Sequence, residues 1–303
     1  MAEMETDKKG SGRVRFKVEV IEPHGFCSGV AGALHKAFGA LGDHGGAVWC
    51  LHELVHNETV VRDFELRGMK FVESLGEVPH GATVVFSAHG VSPAVRREAE
   101  MRALHVVDAT CPFVARVHRT VKAAAGRGVP VAVIGNAGHA EVMGVAGEAE
   151  GGRVAVVRSA ADVDGIDFPA DCEVVVVSQT TLSADEVADV SAALKAKFPK
   201  ASFSPASEVC NATRDRQRAV REFAKGNPGA GVLVLGSANS SNTRRLAEIA
   251  EDAGARAWRV GNMAELRAVD FGRIEVLGVT SGASTPESFL EEAVAFAWRA
   301  AGA

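Results

Sequence analysis

Short, nearly unbroken apolar runs recur along the chain, separated by stretches in which apolar positions return every three or four residues. The runs are VRFKVEVIE, AVWCL, TVVFSA, LHVVDA, PVAVIG, VAVVRS, EVVVVSQ, GVLVLGS, ARAWRV and IEVLGVTS. Their β-branched content marks them as strands. Their lack of alternation marks strands covered on both faces, as in a parallel sheet. VSPAVRREAEMRAL, LSADEVADVSAALKAKF and SSNTRRLAEIAEDAG carry the helical period between them. Strand and helix in alternation predict an α/β protein with mostly parallel sheets.

The segments that follow the strands fall into three series. One holds a cysteine each time: GFCSG around Cys27, ATCP around Cys111 and VCNAT around Cys210. A second follows AVWCL, PVAVIG and GVLVLGS, with His52-Glu53-Leu54-Val55-His56-Asn57, Gly138-His139-Ala140-Glu141 and Ser240-Ser241-Asn242-Thr243. A third follows TVVFSA, EVVVVSQ and IEVLGVTS, with Ala88-His89-Gly90, Gln179-Thr180-Thr181 and Gly282-Ala283-Ser284. Each third of the chain therefore repeats one order: cysteine loop, polar loop, polar loop. The repeat is one of architecture, not of residue identity. Ligands of parallel α/β units bind at the C-terminal strand edge. The pattern thus predicts three similar small α/β domains around a pseudo-threefold axis, with their loops facing one central cavity. The expected division is a flexible tail over 1–15 and domains over 16–111, 112–207 and 208–303.

Composition narrows the function. The chain has 303 residues, enough for about two domains by length alone, and 47% are apolar. A net charge of −5 offers no basic field for nucleic acid or an anionic membrane. No run is long enough to span a bilayer, and MAEMETDKKGSGR lacks the apolar core of a signal peptide. Five cysteines without close spacing do not read as a secreted disulfide scaffold, so a reducing cytoplasm is expected.

Three thiols from distant segments, each in a polar or Gly/Pro-flanked loop, point to a metal held with one position open. A structural zinc is normally closed by four ligands. Zinc completed by His139 or His89 and an iron–sulfur cluster both fit, and a cluster accepts distant ligands more readily. Cys50 and Cys172 sit in apolar runs and read as buried strand residues. His56, His89 and His139 fall in equivalent strand-end loops and read as phosphate ligands. Ser92-Pro93, Ser183 and Thr285-Pro286 carry helix-start signatures. Helix N-termini offer free N–H groups and positive partial charge, so the loops can hold a phosphate without lysine or arginine. Glu141 is an acid in a loop otherwise suited to anions. A closed apolar cavity would raise its pKa and make it a proton donor.

The motifs HGFCSGV (24–30), HELVHN (52–57), SAHGVS (87–92), DATCP (108–112), GHAEVMG (138–144), SQTTLS (178–183), CNATRDRQ (210–217), SANSSNTRRL (237–246) and GVTSGASTP (278–286) resemble, in order, those of the 4-hydroxy-3-methylbut-2-enyl diphosphate reductases. These enzymes end the methylerythritol phosphate route to isoprenoids. The resemblance runs from about residue 16 to the C-terminus. It implies three α/β domains about a pseudo-threefold centre and a 4Fe-4S cluster on Cys27, Cys111 and Cys210, with the fourth iron open to the substrate hydroxyl. It implies that His56, His89, His139, Ser240, Ser241, Asn242 and Ser284 hold the diphosphate. Glu141, Thr180 and His139 would be catalytic, with Glu141 delivering protons and Thr180 beside the substrate hydroxyl. The implied reaction is reductive dehydroxylation to isopentenyl and dimethylallyl diphosphate, with electrons supplied singly by a ferredoxin- or flavodoxin-type carrier.

The chain departs from the family pattern at Ala140, where proline is common, at Ala31 and Gly32, where a charged pair is frequent, and at Asn211, where an aromatic is common. None of these removes a ligand. An iron–sulfur hydro-lyase would also keep an open iron but would need no reductant. An electron carrier or redox sensor would want a closed four-cysteine cluster. Oligomeric state and product ratio are left open by the sequence.

Overall fold

The computed structural model describes residues 16–43, 47–203 and 209–302. The tail expected over 1–15 lies outside the described residues. In chain order the elements are β1 (Lys17–Val20), α1 (Ser28–Asp43), β2 (Val48–Leu51), α2 (Glu58–Leu66), β3 (Met69–Val72), β4 (Thr83–Phe86), α3 (Pro93–Met101), β5 (His105–Asp108) and α4 (Pro112–Ala125). They continue with β6 (Val131–Ile134), α5 (Ala140–Gly147), β7 (Val154–Val157), β8 (Val174–Ser178), α6 (Ala184–Lys197), β9 (Ala201–Phe203), α7 (Asn211–Gly226), β10 (Gly231–Leu235), α8 (Ser241–Asp252), β11 (Arg256–Val260), α9 (Met263–Arg267), β12 (Val276–Ser281) and α10 (Glu287–Ala301).

These strands form three sheets of four, ordered β3-β2-β4-β5, β7-β6-β8-β9 and β11-β10-β12-β1. All nine strand pairs are parallel. The three orders are the same order, and the fold is three α/β units of one topology about a pseudo-threefold axis. The central strands β4, β6, β8 and β10 are buried at every residue, which is why their sequences do not alternate. Successive side chains still point to opposite faces, so each sheet feeds two cores. In the second unit Ala132, Ile134, Val174 and Val176 pack on one side, and Val131, Val133, Val175 and Val177 on the other.

The first expected domain, 16–111, needs correction at its start. β1 pairs with β12 of the third sheet, Lys17 opposite Val276 and Val20 opposite Val279. Ile21 follows it into the third unit's core, against Val220, Val232 and Val234. In the other two units the fourth strand comes from the segment that follows the third. Among the described residues no strand follows β12, and β1 fills that edge. Local sequence order cannot show which sheet edge a strand will complete, because that depends on a partner some 260 residues away. β3 and β9 were also absent from the expected strands. Each is short, and β9 is mostly exposed, so neither carries a long apolar run.

With β1 in the third sheet, the cysteines occupy equivalent places. Cys27 joins β1 to α1, which packs on β4 and β5 of the first sheet. Cys111 joins β5 to α4, which packs on β6 and β8 of the second. Cys210 precedes α7, which packs on β10 of the third. The chain passes from one sheet to the next at each cysteine.

Candidate active site

The C-terminal strand edges of all three sheets face one cavity, the place where parallel α/β units bind ligands. Every candidate residue named from the sequence lines it: Cys27, Cys111, Cys210, His56, His89, His139, Glu141, Thr180, Ser240, Ser241, Asn242 and Ser284. Among the described residues, no lysine or arginine lines it.

Each cysteine stands at the head of a helix. Cys111 and Cys210 are the N-caps of α4 and α7, and Cys27 directly precedes α1. The free N–H groups of a first helical turn therefore point at sulfur. The Val30 N–H donates to Cys27 Sγ at 3.4 Å. The Phe113 and Val114 amides reach Cys111. At Cys210 the contact is to the Thr213 hydroxyl, 3.1 Å away. Burial pushes the Cys111 and Cys210 thiols up, and those donors pull them back; the charge on Cys27 adds to the rise at both. Three thiolates this close are costly unless a cation joins them. Gly29 clears the space between two of them, since a Cβ there would lie 2.4 Å from Cys111 Sγ and 3.9 Å from Cys27 Sγ. Among the described residues no group of three His, Cys, Asp or Glu is arranged around a single metal ion. The donor set nevertheless suits a thiolate-bound group: three soft ligands on one wall, with helix N-termini behind them. Cys50 is buried in β2, and burial pushes its thiol up. Cys172 is half-buried before β8 in the second unit's core. Neither lines the cavity.

The three histidines gather into one cluster in the same cavity. His56 and His89 stack with ring centroids 4.1 Å apart, and His139 stands edge-on to both, at 5.1 Å and 5.7 Å. Burial holds His89 well below the ordinary imidazole range, with like-charge repulsion from its neighbours adding to the effect. Burial and His56 hold His139 down to about 4. His139 is the N-cap of α5 and accepts the Glu141 N–H at Nδ1, 3.2 Å. Its neutral ring therefore carries its proton on Nε2, and that atom is buried without a partner. Glu53, which stands in the second-series loop but has no role assigned from sequence, accepts from His56 Nδ1 at 3.1 Å and from the Asn239 amide. It orients His56 from outside the cavity.

α8 brings Ser240 as its N-cap, then Ser241 and Asn242. Asn242 is 5% exposed, and both atoms of its amide lack a partner. A buried amide with nothing to bind is costly, and this one lines the cavity. Ser284 donates to the His56 carbonyl at 3.0 Å, which ties a third-unit loop to a first-unit loop. Ser92 and Ser183 cap α3 and α6 as their sequences suggest. Pro286 is the N-cap of α10, one position earlier than a first-turn proline.

Glu141 lines the same cavity and is 2% exposed. The Thr180 N–H donates to Oε1 at 2.7 Å and the Thr180 hydroxyl to Oε2 at 2.9 Å. Burial raises its pKa to about 7, against those hydrogen bonds and the charge on His56. A carboxylic acid at that value is half protonated near neutrality and can exchange a proton with a bound ligand. Phe113, Thr181 and Thr213 also line the cavity and have no role assigned from sequence. Thr213 could have been found from its place one helical turn after Cys210.

The chain matches the LytB protein family over residues 18–297. A 4-hydroxy-3-methylbut-2-enyl diphosphate reductase of Burkholderia pseudomallei (strain 1026b) is 41% identical over 280 residues, covering 92% of this chain and 88% of that protein. The protein of the same name from Haemophilus influenzae (strain PittEE) is 42% identical over 281 residues, covering 92% and 89%. The solved structure of the E-1-hydroxy-2-methyl-but-2-enyl-4-diphosphate reductase from Plasmodium falciparum matches with a TM-score of 0.89 at 33% identity. It covers 93% of this chain and 88% of that one.

Proposed function

The chain belongs to the LytB protein family, and on that premise we propose how its cavity works as a 4-hydroxy-3-methylbut-2-enyl diphosphate reductase. The reaction takes up two electrons and two protons, breaks the allylic C–O bond and releases water. The products are isopentenyl and dimethylallyl diphosphate.

Cys27, Cys111 and Cys210 are the ligands of a 4Fe-4S cluster. When bound, that cluster supplies electrons one at a time and a Lewis-acidic iron position. The observation that carries the reading is one cavity lined by three thiols, three histidines, the start of α8 and the buried acid Glu141, with no lysine or arginine among its described lining residues. The Nε2–H of His139, the unpartnered amide of Asn242 and the N-terminus of α8 hold the diphosphate, with His56, His89, Ser240, Ser241 and Ser284 around them. The bound anion favours imidazolium at His89 and so works against the burial that lowers its pKa. Glu141 holds a proton at its carboxyl group, oriented by Thr180, and delivers it toward the leaving hydroxyl. A ferredoxin- or flavodoxin-type carrier supplies the electrons. No helix among the described residues is long and apolar enough to cross a membrane. A reducing cytoplasm is the compartment in which free thiols persist for cluster assembly.

The test is an anaerobic assay of the reconstituted protein with the hydroxylated diphosphate and reduced methyl viologen, following both products. Reductant-dependent formation of either product is expected, and Cys111→Ser should lose bound iron together with turnover. Turnover without reductant would make the protein a hydro-lyase. Full reductive turnover by an iron-free Cys111→Ser would overturn the ligand assignment.

A further inference from the structure

α7 carries a buried arginine that none of the roles above uses. Arg216 is 3% exposed and lies between one and two turns into the helix that Cys210 heads. Its Nη2 donates to the His24 carbonyl at 3.2 Å and to the Gly25 carbonyl at 2.8 Å. Its Nη1 donates to the Ala212 carbonyl of its own helix at 3.1 Å. The two distant carbonyls belong to the loop that ends in Cys27. One guanidinium therefore fastens the Cys27 loop to the Cys210 helix, across the seam where β1 closes the third sheet and the chain enters the first unit.

The charge on Arg216 is unusual in its setting. Among the described residues no ion pair joins it to a carboxylate, and its Nε is buried without a partner. Burial pulls its pKa down, and the groups that hold it up are Cys27, Cys210 and then Asp215. A buried guanidinium without an anion costs several kcal/mol. Cys27 and Cys210 act on it more strongly than Asp215 does, and its hydrogen bonds run to the loop that ends in Cys27.

We propose that Arg216 is the buried counter-cation of the thiolate-held group, positioning the Cys27 loop and stabilising the group's one-electron-reduced state. The inference rests on the iron–sulfur reading above. Adding an electron makes the group more negative, and a fixed cation favours that state more than the oxidised one. Arg216 is thus a positioning residue that also sets how readily the site accepts an electron.

The test compares the anaerobically reconstituted wild type, Arg216→Gln and Arg216→Lys. Iron and sulfide are measured first, then the midpoint potential by a dithionite titration followed by electron paramagnetic resonance. Arg216→Gln should hold its cluster with a reduced-to-oxidised ratio about tenfold lower at fixed potential, a fall of about 59 mV for one electron. Arg216→Lys, which keeps the charge, should stay within about threefold of wild type. A cluster-bearing Arg216→Gln within threefold of wild type overturns the proposal. If Arg216→Gln fails to fold or to hold iron, Arg216→Lys decides: a tenfold change in either direction with iron intact overturns the proposal, and a value within threefold upholds it. A wild type that binds no cluster at all is a different outcome and would sink the iron–sulfur reading instead.

Discussion

A single carboxyl group illustrates how the cavity sets chemistry at the residue scale. Glu141 would titrate near 4.5 in water, and burial moves it to about 7. Thr180 orients both of its oxygens. If it delivers a proton, the rate should fall as pH rises through about 7, where that proton is lost. Glu141→Gln should retain cluster absorption and substrate binding while turnover drops by about 10²–10⁴, measured as kcat in the anaerobic assay. Unchanged turnover would remove Glu141 from the proton path. The same shift has a stability consequence. A folded-state value raised above the unfolded one stabilises fully below pH 4.5, and this contribution is lost as pH rises through about 7. Urea melts of the Gln variant should therefore lose less stability than wild type between pH 5 and pH 8. The Glu, Thr and His types of this site were legible in their loops. The tautomer of His139 was not, because it depends on the Glu141 amide two residues on.

At the scale of elements, the helix start is the recurrent device. Cys111, Cys210, His139 and Ser240 are all N-caps, and Cys27 immediately precedes α1. First-turn amides thus reach sulfur at the cysteines, while at His139 and Ser240 they donate to the capping side chain. Gly29, in the first turn of α1, tests how tightly the thiol wall is built. By helix propensity alone, Gly29→Ala should stabilise α1 by about 1 kcal/mol. A Cβ 2.4 Å from Cys111 Sγ reverses that sign, because overpacking costs about 1–3 kcal/mol. Gly29→Ala should melt earlier than wild type and hold less iron after reconstitution. A variant more stable than wild type with full iron would show that the space beside Cys111 is not needed. The strands β3 and β9 were illegible at this scale because short, half-exposed edge strands carry little apolar signal.

At the scale of the whole molecule, the third unit is completed by the strand that comes first in the chain. Ile21 sits 6% exposed in the third unit's core. Ile21→Ala should cost about 2–5 kcal/mol. Hydrogen exchange should then show protection falling in β10, β11 and β12, with β2, β3, β4 and β5 close to wild type. Loss confined to the first sheet would contradict the closure. Because Cys27 follows β1 directly, this closure also carries the first thiol to the cavity. An insecure third sheet would therefore weaken the cysteine wall as well.

The sequence by itself determined the parallel α/β class, the threefold order of its loops and the polar residues expected at the cavity. Each of these is written locally, in unbroken apolar runs and in polar motifs that recur at strand ends. Only the tertiary structure decided that β1 belongs to the third sheet, that Arg216 fastens the Cys27 loop, and that Glu141 titrates near neutrality. Each of those depends on partners brought together across the chain, by pairing, burial or charge, and no local pattern encodes them.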